Sequence, residues 1–244
     1  MKRTFTLFLA VLFSATVFGQ TTEYSLQLGS GFFSFRGNSA SSIYTYSKFS
    51  NGVSYWYENN PYGQYSAFSY SVGFQVQRIT KWHFIYGLQA DYESLSSRTK
   101  IKNIVLYDHN PNSMAVYLPD SLVNADSHAI LTNKYFTLHP FLGIRMKIIK
   151  GIKTDLTLGT DFAFCTSSEE HVTVNTSQGI YNSKINRDKP HLDTRLRVDL
   201  TNYYKHFGLT VGYSYGLTNY ESGMNGASAE VYSQMIRLGL AFKL

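Results

Sequence analysis

The chain has 244 residues, a formal net charge of +6 from 22 Lys plus Arg against 16 Asp plus Glu, and a single cysteine. No basic run or stripe concentrates that modest excess, which speaks against a nucleic-acid partner. The lone Cys165 excludes an internal disulfide.

The first residues, MKRTFTLFLAVLFSATVFGQ, place Lys2 and Arg3 ahead of an apolar segment over about residues 5–13 and then small residues up to Gly19. This reads as a secretory signal peptide over 1–19, cut before Gln20, and leaves one domain over 20–244 with a net charge of +4. The alternative, an anchor helix, needs about 20 apolar residues, whereas Ser14 and Thr16 interrupt this run. No later stretch approaches a transmembrane helix, so any membrane insertion falls to strands.

Period-two alternation predicts eight strands in chain order. The first, about 24–33, sets Tyr24, Leu26, Leu28 and Phe32 against Ser25, Gln27, Gly29 and Gly31. The second and third form a hairpin over 68–92: Phe68, Tyr70, Val72, Phe74 and Val76, then Trp82, Phe84, Tyr86, Leu88, Ala90 and Tyr92, all on one face. The fourth covers about 135–148, the fifth 152–165, the sixth 191–203, the seventh 207–217 and the eighth 236–244. The connections alternate short and long, the pattern of an outer-membrane barrel with short periplasmic turns and long extracellular loops.

Alternation alone does not separate such a barrel from a soluble one with its apolar face inward. Volume does, because an eight-stranded barrel is only just wide enough for its own side chains. The apolar face offers five or more mostly large residues per strand, whereas Gly, Ser, Thr and Gln dominate the other. The strand charges Asp91, Arg145, Asp155, Asp161, Asp193, Arg195, Arg197, Asp199 and Arg237 also lie on the small-residue face. We therefore expect an all-β, eight-stranded, antiparallel up-and-down transmembrane β-barrel in the outer membrane of a Gram-negative bacterium, with lipid outside.

Gln20 directly after the leader, eight amphipathic strands, Tyr- and Asn-rich loops and the closing MIRLGLAFKL resemble the small PorT-like outer-membrane β-barrel proteins of Bacteroidota. More broadly, the chain resembles barrels of the OmpA and OmpX type. The resemblance implies insertion by the barrel-assembly machinery, which reads an aromatic C-terminal signal; the matching positions here are Phe242 and Leu244. It also implies a role in secretion or envelope assembly.

The inward charges form either a paired plug or a narrow polar channel. None of His83, His109, His128, His139, His171, His191 and His206 stands two residues before a strand serine, as in lipid A deacylases, and no G-x-S-x-G elbow occurs. Glu169, Glu170 and His171 are adjacent, and neighbours in a strand or loop point apart, so no metal site is expected. No cofactor is expected either. The first long loop carries Tyr44, Tyr46, Phe49, Tyr55, Trp56, Tyr57 and Tyr62, rigid amphipathic groups that suit a partner surface or pack over the barrel mouth. The expectation is a monomeric, non-enzymatic interaction protein acting through its loops. The alternatives are a narrow solute channel and a membrane-embedded lipid hydrolase.

Overall fold

The computed structural model describes residues 20–49, 60–107, 116–118, 127–149, 151–176, 179–222 and 229–244; the expected leader lies outside them. Eleven strands are β1 (Thr21–Arg36), β2 (Ile43–Phe49), β3 (Tyr65–Ile79), β4 (Phe84–Tyr107), β5 (Val116–Leu118), β6 (His128–Ile149), β7 (Ile152–Thr176), β8 (Gly179–Asn186), β9 (Leu192–Tyr204), β10 (Phe207–Gly216) and β11 (Tyr232–Lys243). Eight of them close a ring in the order β1-β3-β4-β6-β7-β9-β10-β11 and back to β1, with every pairing antiparallel. Closure removes both sheet edges, so every strand of the ring has a neighbour on each side.

The turns at one rim are tight. His83 and Lys205 adopt left-handed backbone at φ 67° and 52°, and Gly151 sits at φ 88°, where a residue without Cβ is least strained. The start of β1 and the end of β11 meet on this rim: Leu244 N donates to Tyr24 O at 3.0 Å.

At the opposite rim the wall is uneven. β4, β6 and β7 have 24, 22 and 25 residues, against 10 to 16 in the other ring strands. Their extensions carry the extra strands. β5 pairs with β4 and β8 with β7. β2 was not expected as a strand; it runs parallel to β4, from Ile43↔Lys100 to Phe49↔Tyr107.

Burial alternates with the pleat and is inverted relative to a soluble protein. Outward Leu142 and Leu209 are 68% and 64% exposed, whereas inward Arg195, Glu93 and Asp161 are 0% exposed. The inward positions of the narrow ring are often glycine. A Cβ on Gly73 would overlap Asp91 Oδ1, and one on Gly212 would overlap Asp199 Oδ1. These glycines are the space into which the carboxylates fold.

Candidate functional site

The lumen is filled in layers. Near the short-turn rim, Glu23 of β1, Arg145 of β6, Asp155 of β7 and Lys243 of β11 converge. Arg145 donates from Nε and Nη2 to Asp155 at 2.6 Å each, and from Nη1 and Nη2 to Glu23 at 2.7 and 2.8 Å. Lys243 Nζ lies 2.6 Å from Glu23 Oε2 and 3.6 Å from the Tyr203 ring centroid. Two carboxylates and two cations balance here, and the Glu23–Lys243 contact closes the seam between the first and last strands from inside.

The middle layer is larger. Glu93 Oε2 accepts from Arg195 Nη2 at 2.6 Å and from Thr137 Oγ1 at 2.8 Å, while its Oε1 accepts from Arg237 Nη1 at 2.7 Å. Arg237 also donates from Nε to Ser214 Oγ at 2.7 Å and from Nη2 to Asp161 at 3.3 Å. Arg197 Nε is 2.6 Å from Asp199 Oδ2, and its Nη1 is 3.7 Å from both Asp91 and Asp161. Asp193 lies 3.5 Å from Arg195 and accepts from Ser233 at 2.9 Å. His139 Nδ1 faces Asp161 Oδ1 at 2.9 Å. A buried charge without such partners costs several kcal/mol, and this network supplies them from six strands.

Between the layers a cavity of about 40 Å³ is lined by polar residues including Gln27, Gln75, Thr157, Thr201 and Asp199, room for one or two water molecules.

Above the charges the lumen turns apolar. Phe33, Phe35, Leu95, Leu131, Tyr135, Ala163, Val231 and Met235 form one buried cluster, with Tyr62 and Tyr220 packed on it. Phe35 stands edge-on to Phe33, Tyr62 and Tyr220 at centroid distances of 5.0, 4.9 and 5.1 Å, favourable aromatic geometry. Tyr135 and Tyr220 share a 2.9 Å hydroxyl contact. Burial pushes the Tyr62 phenol up to about 12.

Each charge that alternation assigns to the lumen faces inward and is buried: Arg145 and Asp155 in the lower layer, and Asp91, Asp161, Asp193, Arg195, Arg197, Asp199 and Arg237 in the middle. Sequence reasoning omitted Glu93 and Glu23, two acids that each join more than one cation. Glu93 is two residues past Asp91 and Glu23 two before Ser25, so counting parity past the expected strand ends would have found both.

Of the first-loop aromatics, Tyr55, Trp56 and Tyr57 lie outside the described residues, and for Tyr44 and Tyr46 only the strand backbone of β2 is described. Tyr62, grouped with them as an interaction surface, is turned down into the plug. Phe242 packs on Phe207 at 5.3 Å, and Leu244 is exposed at the rim.

Glu169 and His171 face outward, while Glu170 faces inward onto Arg187 at 2.6 Å. No metal-binding group occurs among the described residues. Ser214 donates to Asp161 at 3.4 Å and accepts from Arg237, so the serine and histidine both address the aspartate from inside the wall.

Taken together, the ring, its polar filling and its apolar outer face define an eight-stranded transmembrane β-barrel turned inside out relative to a soluble protein. No protein-family model and no curated protein matches the chain. Among solved structures it is similar to Neisserial surface protein A (11% identity, TM-score 0.41, covering 93% of this chain and 100% of that one). It is also similar to Ail, the attachment invasion locus protein of Yersinia pestis (9%, 0.38, 91% and 99%). A third is the N-terminal β-barrel domain of Pseudomonas aeruginosa OprF (9%, 0.31, 92% and 100%). The eight pairings of this chain define its fold independently of those likenesses.

Proposed function

We propose that the protein is an integral outer-membrane barrel with a closed lumen, exported by its leader, that acts without enzymatic activity as an interaction protein through its long-loop end. The observation that carries this reading is the filling of the lumen: among the described residues two ion-pair layers and an aromatic plug occupy it around a cavity of about 40 Å³. A solute channel needs a continuous wet path, and the plug interrupts it. The His139–Asp161 contact lies deep among the lumen charges, away from any lipid substrate.

The membrane placement rests on the outer wall. From Phe84 to Tyr92 on β4 the outward side chains are Phe84, Tyr86, Leu88, Ala90 and Tyr92, and β10 presents Phe207, Leu209, Val211, Tyr213 and Tyr215. Along strands tilted by about 40° that band rises roughly 20 Å, close to the height of about 25 Å expected of a lipid-facing wall with aromatic girdles. With the short-turn rim in the periplasm, the tall β4–β6–β7 wall stands outside the cell, where the PorT-like resemblance allows a partner in secretion or envelope assembly. Phe242 and Leu244 on the periplasmic rim are the signal presented to the barrel-assembly machinery. The working unit is a monomer.

Leu238→Arg on the lipid face of β11 tests the placement: in a bilayer it should cost about 2–4 kcal/mol and lower the yield of inserted barrel. A protein soluble without detergent and indifferent to this change would refute the membrane reading. In a planar bilayer the purified protein should give no steady openings; large, sustained ones would restore the channel. Cross-linked pull-down from intact cells, with and without residues 44–57, should lose a partner when the loop is shortened. An unchanged set would remove the first loop from the function.

A further inference from the structure

The lipid-facing wall is not evenly packed. A furrow of about 940 Å³ runs across it between two outward rows of side chains. Strand register builds the bank nearer the short-turn rim from Thr22, Arg78, Tyr86, Leu142 and Leu158. The other bank is Val76, Leu88, Pro140, Thr160 and Leu196. Because the strands of a barrel tilt by about 40°, a row perpendicular to them climbs the wall at the same angle. The furrow therefore starts at Arg78, beside the last residue of β3 at the short-turn rim, and ends at Leu196, well up β9. From β3 to β9 it crosses four strand spacings of about 4.8 Å, roughly 19 Å of length and 12 Å of rise. Half of a hydrocarbon core is about 15 Å thick, so the furrow spans most of one leaflet.

Arg78 supplies the charge at its low end. The side chain projects outward between Thr22 and Tyr86, and its Nε is buried with no hydrogen-bond partner among the described residues. Glu23, one residue along β1 from Thr22, points inward and is held by Arg145 and Lys243. Register levels Arg78 with Tyr86, and exposed Phe84 and Trp82 lie closer still to the rim. The guanidinium thus stands at the aromatic girdle, where hydrocarbon gives way to headgroups. A second furrow of about 470 Å³, crossing β1, β11 and β10 between Leu28, Leu238 and Leu209, has no charged residue in its lining.

We propose that the furrow between β3 and β9 holds one phospholipid of the leaflet on the short-turn side, with an acyl chain along the furrow and the phosphate on Arg78. The proposal rests on the membrane placement above. Two observations select this occupant. Beyond Arg78 and Tyr86 the banks are apolar except for Thr160, and they run through a single leaflet, which is the path of a hydrocarbon chain. The cation stands at the depth of that chain's headgroup, and a guanidinium grips a phosphate through two parallel N–H···O bonds. The Thr22 and Tyr86 hydroxyls are donors in the same row.

Native mass spectrometry of the purified full-length mature protein, released from micelles containing phosphatidylglycerol and diacylglycerol of the same chains in equal amounts, tests this. One phosphatidylglycerol should be retained in preference to diacylglycerol. Arg78→Gln should lower that preference by about tenfold or more, the loss of one charge-assisted pair. Lys205→Gln, a rim cation away from the furrow, should leave it unchanged. Thr160→Phe, which fills the furrow and keeps Arg78, should lower retention of both lipids, whereas Val211→Phe in the second furrow should alter neither. Heat-modifiable migration checks that the variants fold. An unaltered preference in Arg78→Gln, an equal loss in Lys205→Gln, or equal effects of the two phenylalanine variants overturns the site. A dimer mass that Thr160→Phe abolishes also overturns it, since a second copy of the chain then occupies the furrow. A protein that never inserts into micelles or bilayers refutes the membrane placement itself, a separate outcome.

Discussion

Glu93→Ala should lower stability by roughly 3–5 kcal/mol, the cost of leaving buried guanidiniums without their partner. Glu93 is wholly buried and accepts from Arg195, Arg237 and Thr137 at 2.6–2.8 Å. Removing it takes the closest carboxylate from both arginines and leaves them Asp161 and Asp193 at 3.3–3.7 Å. The temperature at which the folded band converts on a heat-modifiable gel should fall accordingly. Glu93→Gln, which keeps an acceptor oxygen for Arg195 and Arg237 but removes the charge, should recover part of the loss. An unchanged conversion temperature in the alanine variant would mean that this ion pair does not organise the lumen.

The second large effect is expected at the plug. Phe35→Ala removes the ring on which Phe33, Tyr62 and Tyr220 converge and should cost about 3–5 kcal/mol through lost burial and an unfilled cavity. It should not create a conducting pore, because the layer of Glu93, Arg195 and Arg237 closes the lumen independently below it. Denaturant melting and single-channel recording of the same preparation separate the two effects. Steady conductance in the Phe35 variant would identify the plug as the sole gate and make the charge layer permeable.

Both predictions depend on residues that are unequally visible in the sequence. Asp91, Arg195 and Arg237 could be assigned to the lumen by parity alone, since consecutive side chains on a strand leave opposite faces. Glu93 follows the same rule, but the expected strand stopped at Tyr92, where the lipid-facing residues end, although β4 continues to Tyr107. Amphipathic alternation reports the depth of the apolar band, not the length of the strand. A bulge at Thr166, where Tyr135 faces Cys165 but Lys134 faces Ser167, sets a harder limit: across it the parity of β7 reverses, so that Glu170, on the lipid parity if counted from Phe162, turns inward to Arg187. Tyr62 illustrates the same limit in a loop, where composition gives an aromatic side chain but no direction.

The alternation of residues 20–244 by itself determined a barrel of eight lipid-bounded strands with small and charged residues inside. Side-chain direction in a strand depends on parity, and the volume of a narrow ring excludes the large apolar face. Only the tertiary structure decided which charge meets which. Arg195 and Arg237 reach Glu93 across 102 and 144 residues of chain, and such partners are chosen by the closure and shear of the whole ring. The same closure brought Phe33, Phe35, Tyr62, Tyr135 and Tyr220 into one plug.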